Sequence, residues 1–394
     1  MEIKATADQH IFNTYARYPL ALVKGQGCTV WDDQGRAYVD FIAGIAVCNL
    51  GHAHPQLVET LSFQAQTLWH VSNLFYTQPQ AELAAWLTAH SFADRVFFGN
   101  SGAEANEAAI KLARKYFKDN GTPQRYRVVC MKQSFHGRTM ATLSATGQQK
   151  VRKGFDPLLD GFDFVSFDDI EDLSCAIGPA TCAVMLEPIQ GEGGVVIPHE
   201  AYLAQVRRLC DEKGCLLIFD EVQTGVGRTG KLFAYEHFGV TPDILTLAKA
   251  LGNGLPIGAM LATQRVASAF VPGAHASTFG GTPLVTAVSL KVLQLLTEGG
   301  VLDQVEEKGD YLRRRLEALQ ARHAVIAEVR GKGLLVGLQL NTAGAPIVKA
   351  CMERGYLINC IQDKILRFAP PLIISRAEID GLIECLDEVL SVKC

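Results

Sequence analysis

From about Pro55 onward, short apolar runs alternate with stretches whose apolar positions recur at helical spacing. The runs are Arg95-Val-Phe-Phe98, Arg127-Val-Val-Cys-Met131, Phe162-Asp-Phe-Val165, Cys182-Ala-Val-Met-Leu186, Cys215-Leu-Leu-Ile-Phe219, Ile244-Leu-Thr-Leu247 and Gly258-Ala-Met-Leu261. Between them lie amphipathic segments such as 103–117 and 200–213. Strands of continuous apolar character, separated by helices, predict an α/β fold with a mostly parallel, seven-stranded type of sheet covered on both faces. Ahead of this region, Cys28–Trp31 and Ala37–Phe41 flank the turn-forming Asp32-Asp-Gln-Gly35 and predict a hairpin. After about Gly300 the pattern changes. A long amphipathic helix (301–322) precedes a hairpin-like region (325–340) broken at Gly331-Lys-Gly333, a further helix, a short strand pair (356–368) and a closing helix (376–392). The expected organisation is a large domain over 55–299 and a smaller α+β domain drawn from both termini, residues 1–54 and 300–394.

Length agrees with two domains, because 394 residues exceed what one hydrophobic core usually supports. A net charge of −4 gives no electrostatic reason to bind nucleic acid or an anionic membrane surface. The eleven cysteines form no CxxC pair, and many sit inside apolar runs, as buried hydrophobes of a reducing compartment do. The histidines show no metal-ligand spacing, and His136 reads as part of a backbone turn. With no basic-then-apolar leader and no run long enough to span a bilayer, a cytoplasmic protein is the simplest expectation.

Three motifs carry chemistry. Gly99-Asn-Ser-Gly-Ala-Glu-Ala-Asn-Glu107 follows a strand and opens a long helix. Ser101 is placed as its N-cap, with Glu104 completing a capping box. The amides of Gly102 and Ala103 then form an anion site. By itself this motif better describes a capped helix without a ligand, since such turns are common in α/β folds. Next, Asp220-Glu221 closes the apolar strand 215–219, at the sheet edge where open α/β folds bind ligands. A carboxylate there needs a cationic or protonated partner, either a structural arginine such as Arg228 or a bound group. Last, Lys249 ends the run 244–247 ahead of a glycine-rich turn. Desolvation favours the neutral amine that carbonyl chemistry requires, although an isolated lysine here more often snorkels to the surface. In that order the three motifs supply a phosphate site, a pyridinium partner and an aldehyde-linking amine, the parts pyridoxal phosphate requires.

Matching segments then run nearly end to end. They include Asp40-Phe-Ile-Ala-Gly-Ile-Ala-Val47, Leu50-Gly-His-Ala-His-Pro55, Ser72-Asn-Leu-Phe-Tyr76 and Phe98–Asn106. Ser134-Phe-His-Gly-Arg-Thr139, Glu187-Pro-Ile-Gln-Gly-Glu-Gly-Gly194, Phe219–Gly225, Ser277-Thr-Phe-Gly-Gly-Thr282 and Leu366-Arg-Phe-Ala-Pro-Pro371 continue them. On these motifs the chain resembles the class III pyridoxal-phosphate-dependent aminotransferases of fold type I, and among them the acetylornithine aminotransferases.

The resemblance implies roles residue by residue. Lys249 links the cofactor's aldehyde and later shuttles a proton, and Asp220 pairs with the ring nitrogen. Gln223 approaches the ring hydroxyl, Phe135 stacks on the ring, and Ser101, Gly102 and Ala103 hold the phosphate. Thr278 reaches the phosphate of a neighbouring subunit, making a homodimer part of the site, and Ser277 beside it is a substrate-binding position. Arg138 takes the carboxylate shared by both substrates, the α-carboxylate of the ornithine derivative or the γ-carboxylate of glutamate. Arg367 takes the α-carboxylate of glutamate or 2-oxoglutarate. Glu192 neutralises Arg367 when no carboxylate is there, since a buried unpaired guanidinium is destabilising by several kcal/mol.

The implied reaction moves the δ-amino group of N2-acetylornithine to 2-oxoglutarate. Small Val47 leaves room for an acyl group. Succinylornithine, ornithine and 4-aminobutyrate are alternative donors. A glutamate-1-semialdehyde aminomutase would have no use for a dicarboxylate partner. A non-enzymatic cofactor-binding protein would leave Lys249 a bystander.

Overall fold

The computed structural model describes residues 3–392. The N-terminal hairpin is extended by one strand, giving β1 (Leu22–Gln26), β2 (Thr29–Asp32) and β3 (Ala37–Asp40). All seven apolar runs become strands of one sheet: β4 (Arg95–Gly99), β5 (Arg127–Met131), β6 (Phe162–Val165), β7 (Thr181–Leu186), β8 (Leu216–Asp220), β9 (Ile244–Leu247) and β10 (Gly258–Ala262). Their order is β4-β10-β9-β8-β7-β5-β6. Only β10 runs against its neighbours, pairing antiparallel with both β4 and β9. Every residue of β7, β8, β9 and β10 is buried, because helices cover both faces.

The helix Gly102–Asp119 lies close to this sheet because its inward face is small, with Ala105, Ala108, Ala109 and Ala113 fully buried. After residue 300, β11 (Ile326–Lys332) and β12 (Leu335–Leu340) form the expected hairpin. β13 (Tyr356–Leu357), β14 (Asn359–Ile361) and β15 (Ile365–Phe368) follow. A second sheet has the order β11-β12-β15-β14, with every pairing antiparallel.

Two details differ from the sequence expectation. The region 301–322 is not one helix but a short 3-10 turn (Leu302–Gln304) leading into the helix Val305–Gln320. The segment 356–368 also divides its pairing. β14 pairs with β15, whereas β13 joins β3 in parallel and completes a third sheet, β1-β2-β3-β13. The ring of Tyr356 also packs against Phe41, with centroids 6.5 Å apart. That contact is with a distant part of the chain, which local patterning does not register. Every cysteine among the described residues is free of disulfide bonds. No single helix among them is long and apolar enough to cross a membrane.

Arg228 ties these layers together. It is fully buried in the turn region after β8, and burial pulls its pKa down to about 9. Its Nη1 donates to the carbonyls of Leu334 (3.0 Å) and Pro370 (2.6 Å), and its Nη2 donates to Asn49 Oδ1. Asn49 Nδ2 in turn donates to Val226 O at 2.7 Å. One guanidinium fork therefore joins the seven-stranded sheet to both the N-terminal and C-terminal segments. Arg228→Ala strands three buried acceptors, at roughly 1–3 kcal/mol each. Chemical denaturation is expected to show a loss of at least about 3 kcal/mol, with Arg228→Lys restoring only part of it.

Candidate active site

The carboxyl ends of β4, β5, β7, β8 and β9 converge on a cavity of about 380 Å³. Ligands bind at this edge of an open α/β sheet because the strands stop there and the loops diverge. Of the residues singled out from sequence, Ser101, Gly102, Ala103, Phe135, Arg138, Glu192, Asp220, Gln223 and Lys249 all line it.

Asp220 is the last residue of β8 and is 3% exposed. Its Oδ2 accepts from Asn106 Nδ2 (2.7 Å) and His136 Nδ1 (2.8 Å), and its Oδ1 accepts from the Val222 amide (3.0 Å). Asn106 is itself fixed: its Nδ2 also donates to His136 O (2.7 Å), and its Oδ1 accepts from Thr246 Oγ1 (2.7 Å). The partner is therefore not Arg228, the structural arginine weighed from sequence, which lies elsewhere. His136 is more than part of a turn, since its buried ring is bonded to the carboxylate. A carboxylate only accepts, so His136 Nδ1 must carry the proton.

Lys249 follows β9 in a left-handed conformation, φ 45°. Burial pulls its amine below the ordinary lysine value; Glu192 opposes the shift, Arg367 adds to it, and Asp220 and Glu187 oppose it. Such an amine is available as a nucleophile or base closer to neutrality than a solvated one.

Ser101 caps the helix Gly102–Asp119, its Oγ accepting from the Glu104 amide at 3.2 Å. The expected capping box does not close. Ser101 is extended (φ −155°, ψ 166°), and Glu104 reaches back past it to the amide N–H and side-chain amide of Asn100. Glycine at 258 permits the cradle loop to rest on β10, since a Cβ there would lie 2.1 Å from Ser101 O.

Two arginines differ sharply. Arg367, on β15, is 1% exposed and ion-paired with Glu192. Gln223 bridges them, accepting from Arg367 Nη1 and donating to Glu192 Oε1, each at 3.2 Å. Burial alone would raise Glu192, but Arg367 and then Lys249 hold it below the usual carboxylate value. Arg138 is exposed, lies 5.5 Å from the Phe135 ring centroid, and makes no ion pair among the described residues. One guanidinium is neutralised by a carboxylate at the cavity wall, and the other is exposed at the same cavity without an ion-pair partner among the described residues.

Ser277 and Thr278 stand outside the cavity of their own chain. Ser277 Oγ accepts from Asn100 Nδ2 (3.2 Å) and the Gly280 amide (3.0 Å), while Thr278 faces neighbouring surface hollows. Sequence reasoning gave no role to Asn106 or Glu187. Asn106 sits one helical turn beyond Gly102, a polar residue on an inward face. Glu187 closes the apolar strand β7 as Asp220 closes β8. Its Oε2 accepts from Phe135 N (3.2 Å) and its Oε1 from Gly191 N (3.0 Å). Burial pushes Glu187 up to about 7, with His136 opposing and Asp220 adding. Among the described residues no cluster of three or more His, Cys, Asp or Glu side chains is arranged to hold a metal ion.

Residues 11–390 match the family Aminotransferase class-III. The chain is 54% identical over 387 residues to an acetylornithine aminotransferase of Caldanaerobacter subterraneus subsp. tengcongensis, covering 97% of this chain and 98% of that protein. It superimposes with a TM-score of 0.85 on N-acetylornithine aminotransferase from Stenotrophomonas maltophilia, 39% identical, with 98% of each chain covered. The TM-score is 0.96 to an ornithine aminotransferase from Toxoplasma gondii with pyridoxal phosphate at partial occupancy in its active site (34% identical; 99% and 93% covered). The α/β fold expected from the strand pattern is thus shared with solved aminotransferases. The chain belongs to the class-III aminotransferases, enzymes that use pyridoxal phosphate.

Proposed function

We propose that this enzyme transfers the δ-amino group of N2-acetyl-L-ornithine to 2-oxoglutarate, giving N-acetyl-L-glutamate 5-semialdehyde and L-glutamate, as a cytoplasmic homodimer in arginine biosynthesis. The observation that carries this reading is the pairing of buried Arg367 with Glu192 while Arg138 stays open. A donor whose reacting amine is remote from its carboxylate needs one guanidinium, and 2-oxoglutarate needs two. An arginine needed in only half of the cycle must be neutralised in the other half. The acetylornithine aminotransferase half-identical over nearly its whole length supports the same donor.

The residues present fit the cofactor. A buried acceptor, a desolvated amine and a capped helix start face one cavity, and glycine at 258 lets the cradle loop pack against β10. When bound, pyridoxal phosphate supplies an aldehyde for the amine and a ring that accepts the electron pair released at the amine-bearing carbon. Lys249 would hold that aldehyde and, once the donor's amine has displaced it, would be the free base that takes a proton from the donor's δ-carbon. Asp220, fixed by Asn106 and His136, would serve as the acceptor for the ring nitrogen. Phe135 and Gln223, on the same cavity wall, would hold the ring and its hydroxyl. Ser101, Gly102 and Ala103 take the phosphate through the helix N-terminus.

Arg138 anchors the carboxylate common to both substrates. Glu192 releases Arg367 when the α-carboxylate of 2-oxoglutarate arrives. Val47, small at the cavity wall, leaves space for the acetyl group. Thr278 and Ser277, outside their own chain's cavity, serve a neighbouring subunit's site. The exposed Phe63, Trp69, Leu74, Phe75, Tyr76 and Phe279 supply apolar surface for that contact. The chain is divided at 54/55 and 299/300, with both ends building one smaller domain.

Purified protein with added pyridoxal phosphate and 2-oxoglutarate is expected to turn over N2-acetylornithine faster than succinylornithine, ornithine or 4-aminobutyrate; a faster rate with any other donor replaces this assignment. Lys249→Ala is expected to lose the near-visible absorbance of the loaded enzyme, to give no borohydride-trapped peptide, and to lose at least ~1000-fold in rate.

Arg367→Met is expected to raise KM for 2-oxoglutarate about 100-fold. The single-turnover rate with the amino donor should change only a few-fold, so a parallel loss in both half-reactions counts against the switch.

The Glu187 carboxyl, with a pKa of about 7 in the fold against an ordinary 4.5, favours the folded state while protonated. That contribution is complete below pH 4.5 and is lost as pH rises through 7. Denaturation of the cofactor-free protein should therefore show stability falling across this window more steeply in wild type than in Glu187→Gln, by on the order of 2–3 kcal/mol.

A further inference from the structure

Four consecutive residues, Ala43, Gly44, Ile45 and Ala46, have φ angles of 49°, 66°, 69° and 58°. Three of them carry a Cβ, which in a left-handed turn crowds the following carbonyl. Such turns persist only where their surroundings over-determine them, and they concentrate at functional sites. Ile45 is 44% exposed, so burial of its side chain does not account for the conformation.

The restraint comes from Asp40. Its Oδ1 accepts from the amides of Ile42 (2.8 Å) and Ala43 (2.9 Å), at the entry to the turn. Its Oδ2 bonds to His52 Nε2 at 2.8 Å. The bond to Asp40, together with the Cys48 thiol, pushes His52 up to about 10, so the ring is cationic near neutrality and donates to Asp40. His52 is anchored through its backbone, exchanging hydrogen bonds of 2.8 and 2.9 Å with Gly27. Within the turn, Ile45 N and Ala46 N donate to Ile42 O, and Val47 N and Cys48 N donate to Ala43 O. The chain leaves the turn at Val47, where φ returns to −101° and the side chain lines the substrate cavity. Gly44 lies against that side chain, its would-be Cβ 3.5 Å from Val47 Cβ. The hand of the turn therefore sets where Val47 stands.

We propose that this left-handed turn is a specificity device for the amino donor, in which Asp40 and His52 are positioning residues that act through Val47 on the acylamino end of the substrate. The inference rests on the reading of the donor as an N-acylated ornithine. Glutamate and 2-oxoglutarate have no acyl group to meet Val47, so displacement of the turn separates the two substrates.

The test uses the cofactor-loaded full chain. Asp40→Ala is expected to raise KM for N2-acetylornithine about tenfold, in the range that misfit of a small apolar group produces, with KM for 2-oxoglutarate within about twofold of wild type. Asp40→Asn keeps the Oδ1 acceptor and retains most of the selectivity. His52→Gln, which removes only the outer partner, shifts the same ratio in the same direction by a smaller factor, and it serves if Asp40→Ala does not fold. Adding Ile45→Gly to Asp40→Ala restores part of the donor affinity, because glycine holds positive φ without the Cβ conflict.

Independently of activity, hydrogen exchange across residues 41–48 of the cofactor-free protein accelerates in Asp40→Ala and not in Asp40→Asn. A parallel rise in both KM values, or unchanged donor preference in both Asp40→Ala and His52→Gln, overturns the proposal. Wild-type protein with no preference for acylated over free ornithine overturns the substrate reading beneath it.

Discussion

A carboxylate buried at the end of a strand is the constraint around which this site is organised. Asp220 has left water at the edge of a sheet, where an ionised group is tolerated only if donors surround it. Asn106, His136 and the Val222 amide supply them from three different segments. Two of these donors are themselves held: Asn106 by Thr246 on β9, and His136 by its own carbonyl bonded to Asn106. The carboxylate thus fixes the relative positions of the helix start at Gly102, the Phe135 loop and the strand that leads to Lys249. In the proposed reaction the same charge, unable to relax, keeps a cofactor ring cationic.

The same low-dielectric setting governs the other charged groups. Lys249 loses affinity for its proton by burial, and the carboxylates nearby limit the loss. Arg367 tolerates burial because Glu192 lies against it. Arg138, left exposed, has no such need. The paired guanidinium and the open one are distinguished by their surroundings and not by residue type. Gln223, bonded to both members of the buried pair, joins them to the wall of the cavity.

Much of this was legible in the chain itself, for identifiable reasons. The seven core strands announced themselves as continuous apolar runs because both sheet faces are covered. The N-cap Ser101 was readable from its position before an amphipathic helix. Glu187 escaped notice although it carries the same signal as Asp220, an acid ending an apolar strand. His136 was assigned to a turn because a lone histidine gives no hint of its partner, which lies 84 residues away in sequence. The capping box failed because the extended backbone at Ser101 let Glu104 reach one residue further back. The left-handed turn at 43–46 was invisible, since Ala and Ile are ordinary residues whose positive φ is imposed by Asp40 and the segments around it.

By itself, then, the sequence determined what depends on neighbours close along the chain. Strand and helix periodicity, the cap, the turn glycines and the types of chemical group at strand ends are set by local sterics and by which residues avoid water. The tertiary structure alone decided which donors surround Asp220, which arginine is paired and which is open, that β13 joins β3, and that Arg228 joins three segments. Those outcomes depend on distances between groups far apart in sequence. Such distances are fixed only when the whole chain has packed and each buried polar group has had to find its partner.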